Sequence, residues 1–185
     1  MEMRRRLAAL SASEQRLRSQ GIASLIRNRL RADRPACVSV FAPMLGEPDL
    51  LELLEEPTTW VFPKIEAGQL TLWSVAHQGQ LKEGPYGLRE PDPAVCARIL
   101  PDQVDWVLTP GLGFGWDGSR LGRGKGFYDR LIPEIKGVAL GVCFREQIEP
   151  SLPRDAWDRP VAELVCEEGW WRCGGADGLT NVPLS

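Results

Sequence analysis

Between Thr109 and Arg130 the chain reads TPGLGFGWDGSRLGRGKGFYDR, which concentrates seven glycines, three arginines, one lysine and two aspartates in a single connector. Gly122, Gly124 and Gly126 alternate with Arg123 and Lys125, and Arg120 adds a guanidinium just upstream. Glycines at alternate positions let the backbone approach a ligand closely, while the residues between them supply charge. Converging N–H donors and cations suit a polyanion, and phosphate is the usual one. Asp129, directly after Tyr128, has the oxygen chemistry that Mg²⁺ prefers. The competing reading is a glycine-rich turn with solvated charges, which an isolated G-x-G-x-G pattern favours. The spacing fits neither a Walker loop nor a Rossmann fingerprint.

The connector needs elements to hold it. QVDWVLT before it is a β-type run, and FYDRLI after it can open a helix. Ser11 and Glu14 have capping-box spacing at the head of a helix in which Leu17, Ile22, Leu25, Ile26 and Leu30 recur at helical intervals. MEMRRRLAAL is compatible with a short helix before it. ACVSVFA at 36–42 is apolar on both faces except for Ser39, as in a parallel sheet. LLELLEE reads as helix, TTWVFPK and LTLWSV as strands, PAVCARIL as helix, and GVALGVCF and PVAELVC as strands. Alternating strand and helix signals predict one α/β domain over residues 1–173, in three layers, with a mainly parallel sheet and helices on both faces. Residues 174–185 lack periodicity and are expected to form a flexible tail. Trp170 and Trp171 are expected to pack as a pair at an edge.

With 185 residues, 43% hydrophobic and 25% charged, the chain can bury one sizeable core and is not disordered. A net charge of −3 argues against general nucleic-acid binding, so any basic site must be local. No apolar run is long enough to span a membrane, and the charged N-terminus does not resemble a signal peptide. The five cysteines form no C-x-x-C pair, and most lie in apolar runs, which suggests buried reduced thiols and a cytoplasmic location. His77 is the single histidine, so a histidine-rich metal site is excluded.

The whole segment PGLGFGWDGSRLGRGKGFYDR resembles the signature of the 5-formyltetrahydrofolate cyclo-ligase (methenyltetrahydrofolate synthetase) family, approximately P-G-L-(A/G)-F-D-x-x-G-x-R-L-G-(R/Y)-G-(G/K)-G-(F/Y)-Y-D. FAPMLGEPD, WVFPKIEAGQLTLWSV, YGLREP, LGVCFREQ and LPRDAWDRPVAELV resemble further family elements, so the likeness runs from about residue 10 to residue 167. It implies a ligase that uses ATP as co-substrate, with Mg²⁺, to convert 5-formyltetrahydrofolate to 5,10-methenyltetrahydrofolate, releasing ADP and phosphate. A monomer without nucleic-acid or membrane partners is expected.

Position by position, the resemblance implies an ATP-binding segment of Arg120, Leu121, Gly122, Arg123, Gly124, Lys125, Gly126, Phe127 and Tyr128. The same resemblance implies Arg120, Arg123 and Lys125 as the catalytic cations on phosphate oxygens. It implies Asp129 and Asp158 as Mg²⁺-associated acids, Glu47 as a hydrogen-bond partner of the pterin, and Tyr86 as an aromatic against the folate. Met44 and Phe114 are read as apolar pocket walls, with core packing equally compatible. From residues alone, Asp158 is a cap or turn acid and Glu47 an ordinary helix-start acid.

One departure stands out. Family members begin with a basic stretch of the form K-x-x-x-R that reaches the phosphates and the folate, and this chain starts at about the position where that stretch ends. Arg4, Arg5 and Arg6 either take over that role or form the solvated face of a short helix. If they do not take it over, the alternative is a folate- or nucleotide-binding paralogue without turnover.

Overall fold

The computed structural model describes residues 2–174 and 180–181; the side chains of Glu2, Arg4 and Tyr86 and of the final pair lie outside the described set. Helix α1 spans Glu2–Ala8 and α2 spans Ala12–Asp33. The capping box at the start of α2 is formed in full. Glu14 N–H donates to Ser11 Oγ at 3.2 Å, and Ser11 N–H donates to Glu14 Oε2 at 2.8 Å. The helix stops where Arg34 turns left-handed (φ 51°) and its N–H reaches Leu30 O. Ile22, Ala23, Ile26 and Leu30 face the core. Leu17 does not, being 69% exposed. Ser19 takes an inward position instead, because its hydroxyl is satisfied by Gln15 O and Asp49 N–H.

The strands follow in chain order: β1 (Cys37–Ser39), β2 (Thr59–Glu66), β3 (Gln69–Ser74), β4 (Leu81–Glu83), β5 (Arg89–Pro91), β6 (Arg98–Ile99) and β7 (Trp106–Thr109). After them come β8 (Gly113–Gly115), β9 (Arg120–Leu121), helix α3 (Phe127–Leu131), β10 (Val138–Val142), β11 (Ile148–Glu149), β12 (Glu163–Cys166), β13 (Gly169–Arg172) and β14 (Thr180–Asn181). Nine of them form one sheet in the order β14-β13-β12-β10-β7-β1-β2-β3-β6. Its centre, β12-β10-β7-β1-β2, is parallel. Both flanks are antiparallel, because tight hairpins return the chain directly, at Ala67–Gly68 on one side and Glu167–Glu168 on the other. The expected mainly parallel sheet is therefore a parallel centre with antiparallel edges.

Helices cover both faces. The α2 face carries the largest apolar cluster, including Ile22, Ile26, Val38, Phe62, Leu108 and Leu140. On the other face Leu131 of α3 packs with Cys37, Val61, Leu72 and Val107. LLELLEE forms a five-residue 3₁₀ turn at Leu51–Glu55, which ends before Pro57. PAVCARIL is not a helix. The Asp92 carboxylate takes the Ala94 N–H, and Ala97 O and Ala97 N–H bond to Ser74, which draws the segment to the sheet edge as β6. Trp170 and Trp171 point to opposite faces of β13, as strand alternation requires. Trp170 packs against Trp106 and Trp171 against Trp116. Of the tail expected over 174–185, residues 175–179 and 182–185 lie outside the described set, and Thr180–Asn181 pair with β13.

The connection from β1 leads to β2 on one side of the sheet, whereas that from β7 leads by way of α3 to β10 on the other. The chain thus diverges at the carboxyl ends of β1 and β7, the place where open α/β sheets form their crevice. Two loops meet there, residues 40–50 and residues 110–127.

Candidate active site

The glycine segment leaves β7 at Thr109 and folds back as the hairpin β8–β9, with β11 completing a three-stranded side sheet. Its tip needs glycine. Gly118 has φ +83°, and a Cβ there would run into Val161 O. Asp117 Oδ1 accepts the Ser119 N–H at 3.0 Å, which fixes the turn. The hairpin delivers Arg120 to a buried position, its side chain 3% exposed. Nη2 of Arg120 donates to Asp129 Oδ1 at 2.7 Å, and the guanidinium lies 5.6 Å from the centre of the Tyr128 ring. Its Nε is buried and has no partner. A Cβ on Gly122 would lie 3.0 Å from Arg120 Nη1, so glycine lets the loop lie close over the guanidinium. Gly126, left-handed at φ 60°, turns the chain into α3.

The opposite wall comes from the loop after β1. Gly46 (φ +82°) closes a turn in which Met44 N–H donates to Glu47 Oε2 at 2.9 Å and Glu47 N–H donates to Met44 O. The Glu47 side chain is 5% exposed, and its Oε1 receives Nη2 and Nε of Arg123 at 2.9 and 3.3 Å. Beyond it the cavity runs along the β2–β3 hairpin past Pro63, Ile65 and Leu70 to Leu88 and Arg89. Glu90 is buried there, held by Lys64 Nζ at 3.2 Å and by the Ile65 N–H at 3.1 Å. The enclosed space is about 280 Å³. Four cations (Arg89, Arg120, Arg123, Lys125) and three carboxylates (Glu47, Glu90, Asp129) line it, so this concavity is locally cationic in a chain of net charge −3.

Most of the residues singled out from sequence converge here. Met44, Glu47, Arg120, Gly122, Arg123, Lys125, Gly126, Phe127, Tyr128 and Asp129 all line the cavity. Burial raises the Tyr128 phenol well above its ordinary range, with Glu47 reinforcing the effect, so it stays a neutral wall. Gly124 and Leu121 belong to the same loop but not to the lining, and Leu121 is 44% exposed. Phe114 is not a pocket wall. It is fully buried with Ile148, Val161 and Leu164, beneath Gly111, which does line the cavity. Asp158 is outside the lining and serves a turn, its Oδ2 accepting the Asp155 N–H at 2.7 Å. The next residue, Arg159, donates its N–H to Asp129 Oδ1 at 3.2 Å. Tyr86 lies on a 3₁₀ turn at Pro85–Gly87, next to the cavity residues Leu88 and Arg89, and its side chain is outside the described set.

Residues that sequence reasoning did not single out include Phe41, Ala42, Pro63, Ile65, Leu70, Leu88, Arg89 and Glu90. The apolar ones share their residue types with the core and give no separate signal. Glu90 had one: a carboxylate followed by proline in YGLREP, inside a strand. Arg6 is used differently from either expectation: it is committed to an ion pair with Glu149, and Leu7 lies beside Gly46. Helix α1 is thus packed at the site without placing Arg6 on the cavity wall; Arg5 is exposed, and the Arg4 side chain lies outside the described set.

The match to known proteins covers the same ground. The 5-formyltetrahydrofolate cyclo-ligase family matches residues 1–167. The chain belongs to that family. Among its curated relatives, the mouse 5-formyltetrahydrofolate cyclo-ligase is 26% identical over 90% of this chain and 91% of its own length. The Escherichia coli K12 protein of the same name is 27% identical over 91% of this chain and 98% of its own. The structure of Aquifex aeolicus 5,10-methenyltetrahydrofolate synthetase superposes with a TM-score of 0.80 at 36% identity, covering 92% of this chain and 88% of that one. The Mycoplasma pneumoniae synthetase shares the fold at a TM-score of 0.71 and 21% identity, over 89% and 93% of the two chains.

Proposed function

We propose that this family member is an ATP-dependent ligase that converts 5-formyltetrahydrofolate to 5,10-methenyltetrahydrofolate, with release of ADP and phosphate. The observation that carries the reading is the cavity itself, where the cations of the glycine loop face a buried carboxylate and an apolar channel. The formyl group on N5 is an amide, and resonance with nitrogen makes its carbon a poor electrophile. Attack of the formyl oxygen on the γ-phosphorus breaks the bond to the β-phosphate oxygen and releases ADP. N10 then attacks the activated carbon and loses its proton, and the carbon–oxygen bond breaks to free phosphate and leave the methenyl bridge.

Little covalent work falls to the protein; holding the two substrates in line and balancing charge carry the acceleration. Arg120, Arg123 and Lys125 neutralise the transferring phosphoryl group. Arg120 is suited to the task because its buried Nε has an N–H to give while Nη2 remains on Asp129. Glu47 accepts from the pterin edge, and Met44, Pro63, Ile65 and Leu70 enclose the apolar body of the folate. The donor set also fits Mg²⁺ bound through phosphates. Asp129, whose Oδ2 lies on the Gly126 side of the loop, would hold it by a carboxylate oxygen. When bound there, Mg²⁺ would supply positive charge to offset that of the phosphates. Asp158, which lies outside the cavity lining and serves a turn, is the less well placed acid of the pair.

The same proposal places a monomer in the cytoplasm, in keeping with five free cysteines. No helix among the described residues is long and apolar enough to cross a membrane. The binding-only reading gains no support, since the relatives carry the names of working ligases. Purified protein given Mg-ATP and 5-formyltetrahydrofolate should yield a product absorbing in the near ultraviolet. Failure to form it, with both ligands supplied in excess, refutes the proposal.

A further inference from the structure

We infer that the Arg123–Glu47 ion pair makes nucleotide and folate binding mutually strengthening, an inference that rests on the reading of the site given above. The two residues belong to opposite walls, Arg123 to the nucleotide loop and Glu47 to the folate side, yet they hold each other. Both oxygens of Glu47 are engaged. Oε1 receives two N–H groups from Arg123, at 2.9 and 3.3 Å, and Oε2 receives the Met44 N–H at 2.9 Å. A pterin N–H that is to reach Oε1 must first displace the guanidinium.

The converse holds for nucleotide. The Arg123 side chain is 42% exposed and has room to swing toward a phosphate, but its departure leaves a carboxylate that is 5% exposed without a cation. A buried charge stripped of its partner is costly. Either ligand alone therefore bears the opening of the pair, and the second finds it already open. With both bound, Arg123 sits on phosphate and Glu47 on the pterin, so neither is left unpaired. Arg120 does not couple the sites in this way. Its Nε is unpartnered, so it can take up a phosphate oxygen without leaving Asp129.

Calorimetric titration of 5-formyltetrahydrofolate into the protein with Mg²⁺, with and without a non-hydrolysable ATP analogue, tests the inference. The folate Kd should tighten about fivefold or more when the analogue is present, and by linkage the analogue's Kd should tighten by the same factor with folate. Arg123→Met removes the exchangeable cation. In that variant the ratio should fall to about one, with folate alone binding at least as tightly as in the wild type. Should that variant melt early, Glu47→Gln, which ends the ion pair from the other side, should also bring the ratio to about one. A wild-type ratio of one, with both ligands bound and product formed, overturns the coupling and leaves the ligase reading intact. An undiminished ratio in Arg123→Met overturns it as well. Absence of both binding and product overturns the ligase reading, and the coupling with it.

Discussion

Replacing Arg120 with methionine separates what this residue does for the fold from what it does for the reaction. The substitution keeps an unbranched apolar stem in a site where the side chain is 3% exposed, and removes the charge. Asp129, 17% exposed, then loses its 2.7 Å partner but retains the Arg159 N–H on the same oxygen. Breaking a buried pair typically costs about 3–5 kcal/mol. The remaining donor and the partial exposure of Asp129 bring the expectation down to about 2–3 kcal/mol. For a chain of this size that is a fall in Tm of about 4–12 °C. Loss of one donor aimed at the transferring group should lower kcat by about 10²–10³. The double variant Arg120→Met with Asp129→Asn removes the stranded carboxylate as well. It should recover much of the lost Tm without recovering turnover. Circular dichroism melts and the near-ultraviolet product assay read the two effects independently. If Arg120→Met turned over within about threefold of the wild type while its Tm fell as expected, Arg120 would be structural and its proposed role on phosphate would be wrong.

Other expectations follow from the same geometry. Lys125→Ala should raise KM for ATP far more than KM for 5-formyltetrahydrofolate in steady-state kinetics; equal increases would mean that the loop has misfolded. Gly118→Ala combines left-handed backbone (φ +83°) with a clash against Val161 O, and should cost about 2 kcal/mol or more. Gly124→Ala shares the backbone strain (φ +81°) but meets no atom within 4 Å, so its melt should show only about half that loss. Burial pushes the thiols of Cys37, Cys166 and Cys173 up to about 11, 12 and 12. Native thiols thus stay protonated where unfolded ones ionise. Their contribution to stability is whole below about pH 8.5 and is lost as pH climbs through the raised values. Urea unfolding at pH 8 and pH 10 should show the lower midpoint at pH 10, and native protein at pH 8 should resist thiol reagents until denatured.

The features legible in sequence were those encoded locally. The capping box at Ser11 and Glu14 and the β1 run each carry their signal within a few residues and form as read, and the glycine segment does link a strand to a helix, with the unforeseen hairpin β8–β9 between them. Where tertiary partners decide, reading failed. PAVCARIL has helix-compatible composition, but Ser74 and the Asp92 carboxylate compete for its backbone. Leu17 keeps helical spacing, yet α2 turns that position outward. Phe114 sits in the middle of the signature, and only the depth of the fold shows that it supports the floor from below. Pro63, Leu70 and Leu88 are ordinary core types, and what makes them pocket residues is the gap between the β2–β3 hairpin and the glycine loop.

The crevice at the divergence of β1 and β7 also dictates when in folding the catalytic centre can exist. Glu47 and Arg123 are separated by 76 positions, and their loops meet only after β1 has paired with β7. The glycine loop carries the phosphate-side residues in one stretch, but Glu47 and the folate-side wall join it only through contacts of long range, which close late. Recovery of turnover during renaturation is thus a clock for the closing of the central sheet, whereas helical ellipticity, dominated by the locally capped α2, reports an earlier event.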